Sequence, residues 1–419
     1  MAITVRKAGL TTLKILLAAG LLGWVLSGVH WRDYVKVDGS SAEYEVLKAE
    51  PDTSAANSLV LRQGKLWWAK DVSASRSGEG WQLADGGAPV RFAVVPNSEQ
   101  FIRQGFVSTL WHMNKLLLGL ACAGFVCSVL VTAVRWWFLL RLVDVHIRVW
   151  EAIRLTFLGQ FFNTVVPGTV GGDLVKAYYA AKHTPRKAAT LVSIFVDRVL
   201  GLTELTFLAG VMLTVVLVSG MAKFGDLGWP ALTVAVVVVL VAGFFSLLLS
   251  AGLRRALRLE KLYSRLPIAH HFEAAGQAAA MYRNRIGSLV KAVAITFGGH
   301  IIWIGSIGLI GMSLGLDTPW YNYFLYVPLI YIIGAVPISP GGVGLVEALY
   351  VSFLATSATV APTQVLALAL LARLIPVFWS LPGALVAIAG PALPKADAMQ
   401  AELEGADAPP QEPAQSAAN

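Results

Sequence analysis

The chain has 419 residues, of which 56% are apolar and 14% charged, with a mean hydropathy of +0.65. A soluble domain carries about 25% charged residues, and a soluble fold of this length could not hide so much apolar surface in one core. The formal charge is +8, but the basic residues fall between apolar runs, as membrane topology places them. Soluble enzymes and nucleic-acid binders are thereby excluded in favour of an integral membrane protein.

The N-terminus carries Arg6, Lys7 and Lys14 ahead of an apolar stretch from Ile15 to Val29. A signal peptide fits this pattern, but no clear small-x-small cleavage site follows, so it reads as an uncleaved signal anchor, residues 1–29, with its start in the cytoplasm. Residues 30–108 differ from everything after them, with nine basic and ten acidic side chains. Short alternating runs (Glu43–Lys48, Ser58–Leu61, Lys65–Ala69, Val90–Val95) separated by turn residues predict a small β-rich insert. Lacking a basic excess, it is expected outside the cytoplasm.

The chain then becomes largely apolar. Uncharged runs are Leu116–Val134, Leu155–Gly172, Leu205–Ala222, Leu227–Leu253, Ala292–Leu316, Thr318–Val346, Ala348–Ala372 and Leu374–Pro394. About 20 apolar residues span a bilayer. Residues 135–187 hold eight bases and three acids, and residues 254–285 hold seven bases and two acids, which places both in the cytoplasm. The second of these also reads as an amphipathic helix on anionic headgroups. The tail, residues 395–419, has five acids, one base and three prolines and is expected to be disordered. Cys122 and Cys127, five apart in one apolar run, predict reduced core residues. No Cys/His spacing suggests a metal, and no cofactor is expected.

Two runs are broken by proline and glycine. The first reads Asn163-Thr-Val-Val-Pro167-Gly168-Thr-Val-Gly171-Gly172-Asp173-Leu-Val-Lys176. The second reads Pro337-Ile-Ser339-Pro340-Gly341-Gly342-Val-Gly344-Leu-Val-Glu347. In each, an acidic residue opens a new helix after a glycine cluster. Unpaired backbone cannot face lipid, and matched breaks in two halves of a chain point to a transporter binding site. The topology predicts an all-α polytopic protein with six full spans and two opposed re-entrant hairpins. Eight full spans are the alternative, and both put the two termini inside. Kinked helices packed through glycine are the plain reading of the same breaks.

Asp197, Arg198, Glu204, His300, Glu347 and Arg373 are embedded in apolar sequence. Such residues usually line an interior pathway. Asp197 and Glu204, seven apart, share a helical face, whereas Arg198 is turned about 100° from Asp197 and need not pair with it. Arg373 calls for an anion or an acid from another helix. Internal salt bridging that fixes helix packing explains the same residues without a ligand, and His300 alone reads as a satisfied polar residue. Glycine-rich backbone and helix starts bind anions, so Arg198, Arg373 and Lys176 together predict an anionic ligand, with phosphate the obvious candidate.

Taken in order, these motifs resemble the transmembrane domain of lysylphosphatidylglycerol synthases, also called the YbhN-like uncharacterised membrane family. The motifs are Asn163…Pro167-Gly168…Gly171-Gly172-Asp173, Asp197-Arg198-Val-Leu-Gly201, Pro337-Ile-Ser339-Pro340-Gly341-Gly342-Val-Gly344…Glu347 and Leu371-Ala-Arg373-Leu. The resemblance covers roughly residues 110–390. It implies lipid handling, because in the synthases this domain is thought to move aminoacylated phospholipid between leaflets while a separate cytosolic domain makes it. The polar tail after the last run leaves no room for that catalytic domain, so a transporter rather than an enzyme is expected. The chain departs from the pattern in carrying Asp173 and Asp197 where members often have Glu, and in its β insert.

The resulting expectation is a bacterial inner-membrane flippase or scramblase for an anionic phospholipid or a polyprenyl-type lipid phosphate. Arg198, Arg373 and Lys176 would neutralise the phosphate. Asn163, Ser339 and the backbone donors of Gly341, Gly342 and Gly344 would orient it. Asp173, Asp197, Glu204 and Glu347 would gate the cavity or carry protons. A membrane enzyme acting on lipid headgroups, and a regulatory partner of a lipid synthase, are the competing readings.

Overall fold

The computed structural model describes residues 29–38, 42–49, 58–63, 70–77, 80–83, 90–92, 102–165, 171–182, 184, 187–221, 232–239, 243, 281–282, 285–336, 338–355 and 360–389, with scattered positions from 16 to 27. Most of the expected signal anchor, the first Pro167-Gly168 break, Pro337, the basic segment 254–280, the strand expected at 65–69 and the C-terminal tail lie outside these residues. By contact, the chain divides into two units. One comprises Met1–Leu120, Ile307–Pro319 and Val343–Ala372, and the other Ala121–Ser306, Trp320–Gly342 and Arg373–Asn419.

The first unit contains an antiparallel sheet of six strands: β1 (Tyr34–Lys36), β2 (Glu43–Ala49), β3 (Ser58–Gln63), β4 (Lys70–Ser77), β5 (Gly80–Leu83) and β6 (Ile102–Arg103). The order is β5-β4-β3-β2-β1-β6. Side chains alternate across a strand, so Leu59 and Leu61 on β3, Val72 and Ala74 on β4, and Trp81 and Leu83 on β5 fall on one side. Register places Leu59 opposite Ala74 and Leu61 opposite Val72. These residues form one buried cluster with Val35, Tyr44 and Phe92. Burial raises the pKa of Tyr34 on β1. Helix α1 (Phe106–His112) follows, tied back through Phe106 N–H to the His30 carbonyl at 2.8 Å. The same unit holds α8 (Leu345–Leu354), whose Ala348 packs with Val29 and Leu366.

The long helices are α2 (Lys115–Leu142), α5 (Lys187–Val218), α6 (Ile286–Ser313) and α9 (Pro362–Ala389). All four are long and apolar enough to cross a membrane. Asn114 opens α2 by accepting from the N–H groups of Leu116 and Leu117. Helices α2 and α6 end alike. Val145 N–H donates to the Leu140 carbonyl at 3.0 Å and Leu316 N–H to the Gly311 carbonyl at 3.0 Å. The left-handed residue that closes each turn is Asp144 in the first case and Gly315 in the second. Of the four, α2 has the smallest buried share, so Cys127 is exposed and Cys122 half-buried. Both are free thiols, but the expectation that they sit in a core is corrected, because they lie on a helix that turns most of its apolar surface outward.

The second unit is built from most of α2, α3 (Val149–Val165), α4 (Gly171–Ala181), α5, most of α6, α7 (Trp320–Gly334) and α9 from Arg373 onward. Helix α4 packs on α3 and on α5, and α7 packs on α5. Trp136, Leu139, Leu140, Leu158, Ala177 and Val192 are at its centre. Helices α3, α4, α7 and α8 have 17, 11, 15 and 10 residues. At about 1.5 Å per residue, none reaches the roughly 30 Å of a bilayer core.

Candidate functional site

Helix α3 meets α4 through small residues. A β-carbon on Gly172 would stand 1.8 Å from the Gly159 carbonyl oxygen and 2.7 Å from the Asn163 backbone nitrogen, so only glycine permits this approach. Gly172 N–H donates to Asn163 Oδ1 at 2.9 Å. Asn163 therefore holds the start of α4 in place. Asp173 stands in the first turn of α4, as the sequence implied.

From there the charges assemble. Asp173 accepts from the guanidinium of Arg198 on α5. Asp197, the neighbouring residue on α5, accepts instead from Arg135 Nε on α2 at 2.8 Å, and both members of this pair are buried. Lys176, one turn beyond Asp173 and also buried, holds Nζ 3.8 Å from the ring centroid of Trp136. It lies in electrostatic range of both aspartates. Among the described residues this cluster has three basic side chains and two carboxylates, a surplus of one positive charge. Arg198 is its accessible member, with 51% of its side chain exposed. Sequence reasoning counted Arg135 only as loop charge. Its position at the end of an apolar run, one residue past the assigned span, concealed that α2 continues to Leu142. Asp197 and Arg198 thus take different ion-pair partners, although Arg198 still acts on Asp197 electrostatically.

Two helical turns further along α5, Glu204 faces His300 of α6, with Oε2 and Nδ1 3.6 Å apart. His300 was expected to be a satisfied polar residue, but its Nδ1 is buried without a hydrogen bond among the described residues.

The second glycine cluster is chemically different. Gly341, Gly342 and Gly344 have φ of 59°, 69° and 79°, which glycine adopts readily and other residues do not. Arg373 on α9 donates to the Gly341 carbonyl at 3.0 Å and to the Gly342 carbonyl at 3.2 Å. Where the sequence called for an anion or an acid from another helix, two of the contacts of Arg373 are backbone carbonyls. The Gly342 N–H donates to the Ser339 carbonyl at 3.2 Å and the Gly344 N–H to Glu347 Oε2 at 2.8 Å. Two of the expected phosphate donors are thus spent inside the turn. Ser339 Oγ is buried without a hydrogen bond among the described residues. Glu347, in the first turn of α8, caps the start of its own helix by accepting from the Gly344 N–H, a structural use of the residue assigned to gating.

The structure thus brings Asp173, Lys176, Asp197 and Arg198 together, with Asn163 fixing the helix that carries two of them. Arg373 joins Gly341 and Gly342, and Glu347 joins Gly344. A family profile described as the lysylphosphatidylglycerol synthase TM region matches residues 103–383. A UPF0104 membrane protein of Methanothermobacter thermautotrophicus is 27% identical over 267 residues, covering 58% of this chain and 76% of that protein. The matched region contains every charged residue of the cluster and begins within β6, after most of the sheet. The chain belongs to the family of the lysylphosphatidylglycerol synthase transmembrane region.

Proposed function

We propose that this membrane protein moves an anionic lipid, either a phospholipid or a lipid-linked phosphate, between the leaflets of a cytoplasmic membrane. The observation that carries this reading is the cationic surplus on α2, α4 and α5, with Arg198 as its half-exposed member. An excess of cations over carboxylates among apolar helices is costly, and a phosphate bound at Arg198 would offset that cost. Asp173 would release Arg198 as the headgroup enters, which makes this pair a gate. The short helices α3 and α4, packed together, suit a hairpin that enters the membrane without crossing it. Arg373 and Ser339 are a second candidate for headgroup contact, with Arg373 exchanging its carbonyl partners for phosphate.

The test is leaflet exchange of fluorescent phosphatidylglycerol, with phosphatidylcholine as control, in vesicles containing the purified protein. Wild type should accelerate exchange of the anionic lipid, and Arg198→Gln and Arg373→Gln should lose this activity while remaining folded. Normal exchange by both variants would overturn the anion site. Conversion of the lipid headgroup in detergent would favour an enzyme instead. Absence of exchange by a folded wild type would favour a partner role.

A further inference from the structure

The ion-pair cluster does not account for Glu204 and His300. The Glu204 side chain is 6% exposed and that of His300 19%. Among the described residues, neither Glu204 oxygen nor His300 Nδ1 makes a hydrogen bond. Thr296, one turn before His300 on α6, donates its hydroxyl to the Ala292 carbonyl at 2.7 Å instead. A bare carboxylate in this position is strongly disfavoured. A single proton held by the pair removes the problem, because acid with imidazole and carboxylate with imidazolium are both neutral overall. Loss of that proton to water leaves a net negative charge, and gain of a second leaves a net positive one.

The other charged groups around the pair are ordered. Helix α2 presents Arg135, which acts on Glu204 electrostatically. Helix α4, which packs on α5, carries Asp173 and Lys176, and these are engaged with Arg198 and Trp136. Helix α7, packed on α5, has only tyrosines among its titratable residues. Arg135 holds Asp197 through Nε, while its Nη1 lies 4.0 Å from where a β-carbon of Gly201 would be. Gly201 is four residues after Asp197 and three before Glu204, so all three share a face of α5. The guanidinium therefore reaches along that face from Asp197 in the direction of Glu204.

We propose that Glu204 and His300 form a proton-binding site whose occupancy sets the hold of Arg135 on Asp197. With the proton present, Arg135 stays on Asp197 and the cationic surplus remains with Lys176 and Arg198. With the proton lost, the Glu204 carboxylate draws Arg135, and the released Asp197 compensates Lys176. The proton thereby controls the anion site, and this last step depends on the lipid reading above.

Infrared difference spectra of the full-length purified protein, titrated from about pH 5 to about pH 9, test the proton site without requiring transport. A protonated-carboxyl band that titrates in wild type should vanish in Glu204→Gln. In His300→Gln its midpoint should move by about one pH unit or more, a tenfold change in proton affinity. A band unchanged in both variants overturns the site, whether or not the protein moves lipid. Lipid exchange under an imposed pH gradient tests the coupling. Wild type should respond to the gradient, and Glu204→Gln should exchange lipid at a rate independent of it. An equal response in wild type and Glu204→Gln overturns the coupling while leaving the transport reading intact.

Discussion

The two glycine-rich breaks look alike in sequence and do different physical work. At Gly172 glycine is needed because another backbone, the Gly159 carbonyl, comes too close for any side chain. At Gly341 there is open space where a β-carbon would stand, and glycine is needed for its positive φ. The acidic residues diverge in the same way. Asp173 reaches from its helix to an arginine on a neighbouring helix, whereas Glu347 folds back to cap its own helix. A shared pattern of glycines followed by an acid thus covers one close backbone joint between helices and one left-handed turn whose carbonyls Arg373 holds.

That difference predicts a graded set of effects in thermal unfolding of the detergent-purified protein. The largest is expected for Gly172→Ala, where the clash is with backbone and cannot be relieved by a rotamer. The loss should be about 3 kcal/mol or more. Gly341→Ala meets no neighbour and costs only the left-handed conformation, about 1–2 kcal/mol. A Gly341→Ala loss as large as that of Gly172→Ala would show that the second break is also a packing joint. Glu347→Ala removes the acceptor of the Gly344 N–H at the start of α8 and should cost about 1 kcal/mol. A Glu347→Ala variant that is fully stable yet inactive would return Glu347 to the gating role.

Much of this was legible in the sequence. Composition gave the membrane class, apolar runs located the four long helices, and the acids after the glycines did open α4 and α8. The strands with large alternating residues, Glu43–Ala49 and Ser58–Gln63, were readable. Strand β4 was not, because its inward positions carry only Val72 and Ala74 between serines and charges, and its place is set by pairing with β3. The site was legible as residue types but not as pairs. Nothing local to Asp197 says that its partner lies 62 residues earlier, on Arg135. The capping use of Glu347 was hidden because a helix-opening acid and a site acid occupy the same position in a motif.

The two aspartate–arginine pairs of the cluster extend the comparison, one at each end of the scale. The Arg135–Asp197 pair is buried, and removing one partner leaves a charge without compensation, which typically costs about 3–5 kcal/mol. Arg198 is half exposed, so its pair with Asp173 is the less sequestered of the two. Asp173→Asn should therefore change stability by no more than about 1 kcal/mol. Its effect should appear in ligand retention instead. The substitution removes one of two carboxylates, raises the positive surplus of the cluster from one to two, and removes the carboxylate that competes with an external phosphate for Arg198. Native mass spectrometry should find more anionic lipid retained by Asp173→Asn than by wild type, and less by Arg198→Gln. Equal retention by all three would make Asp173–Arg198 a packing contact, and the joint at Gly172 a purely structural one.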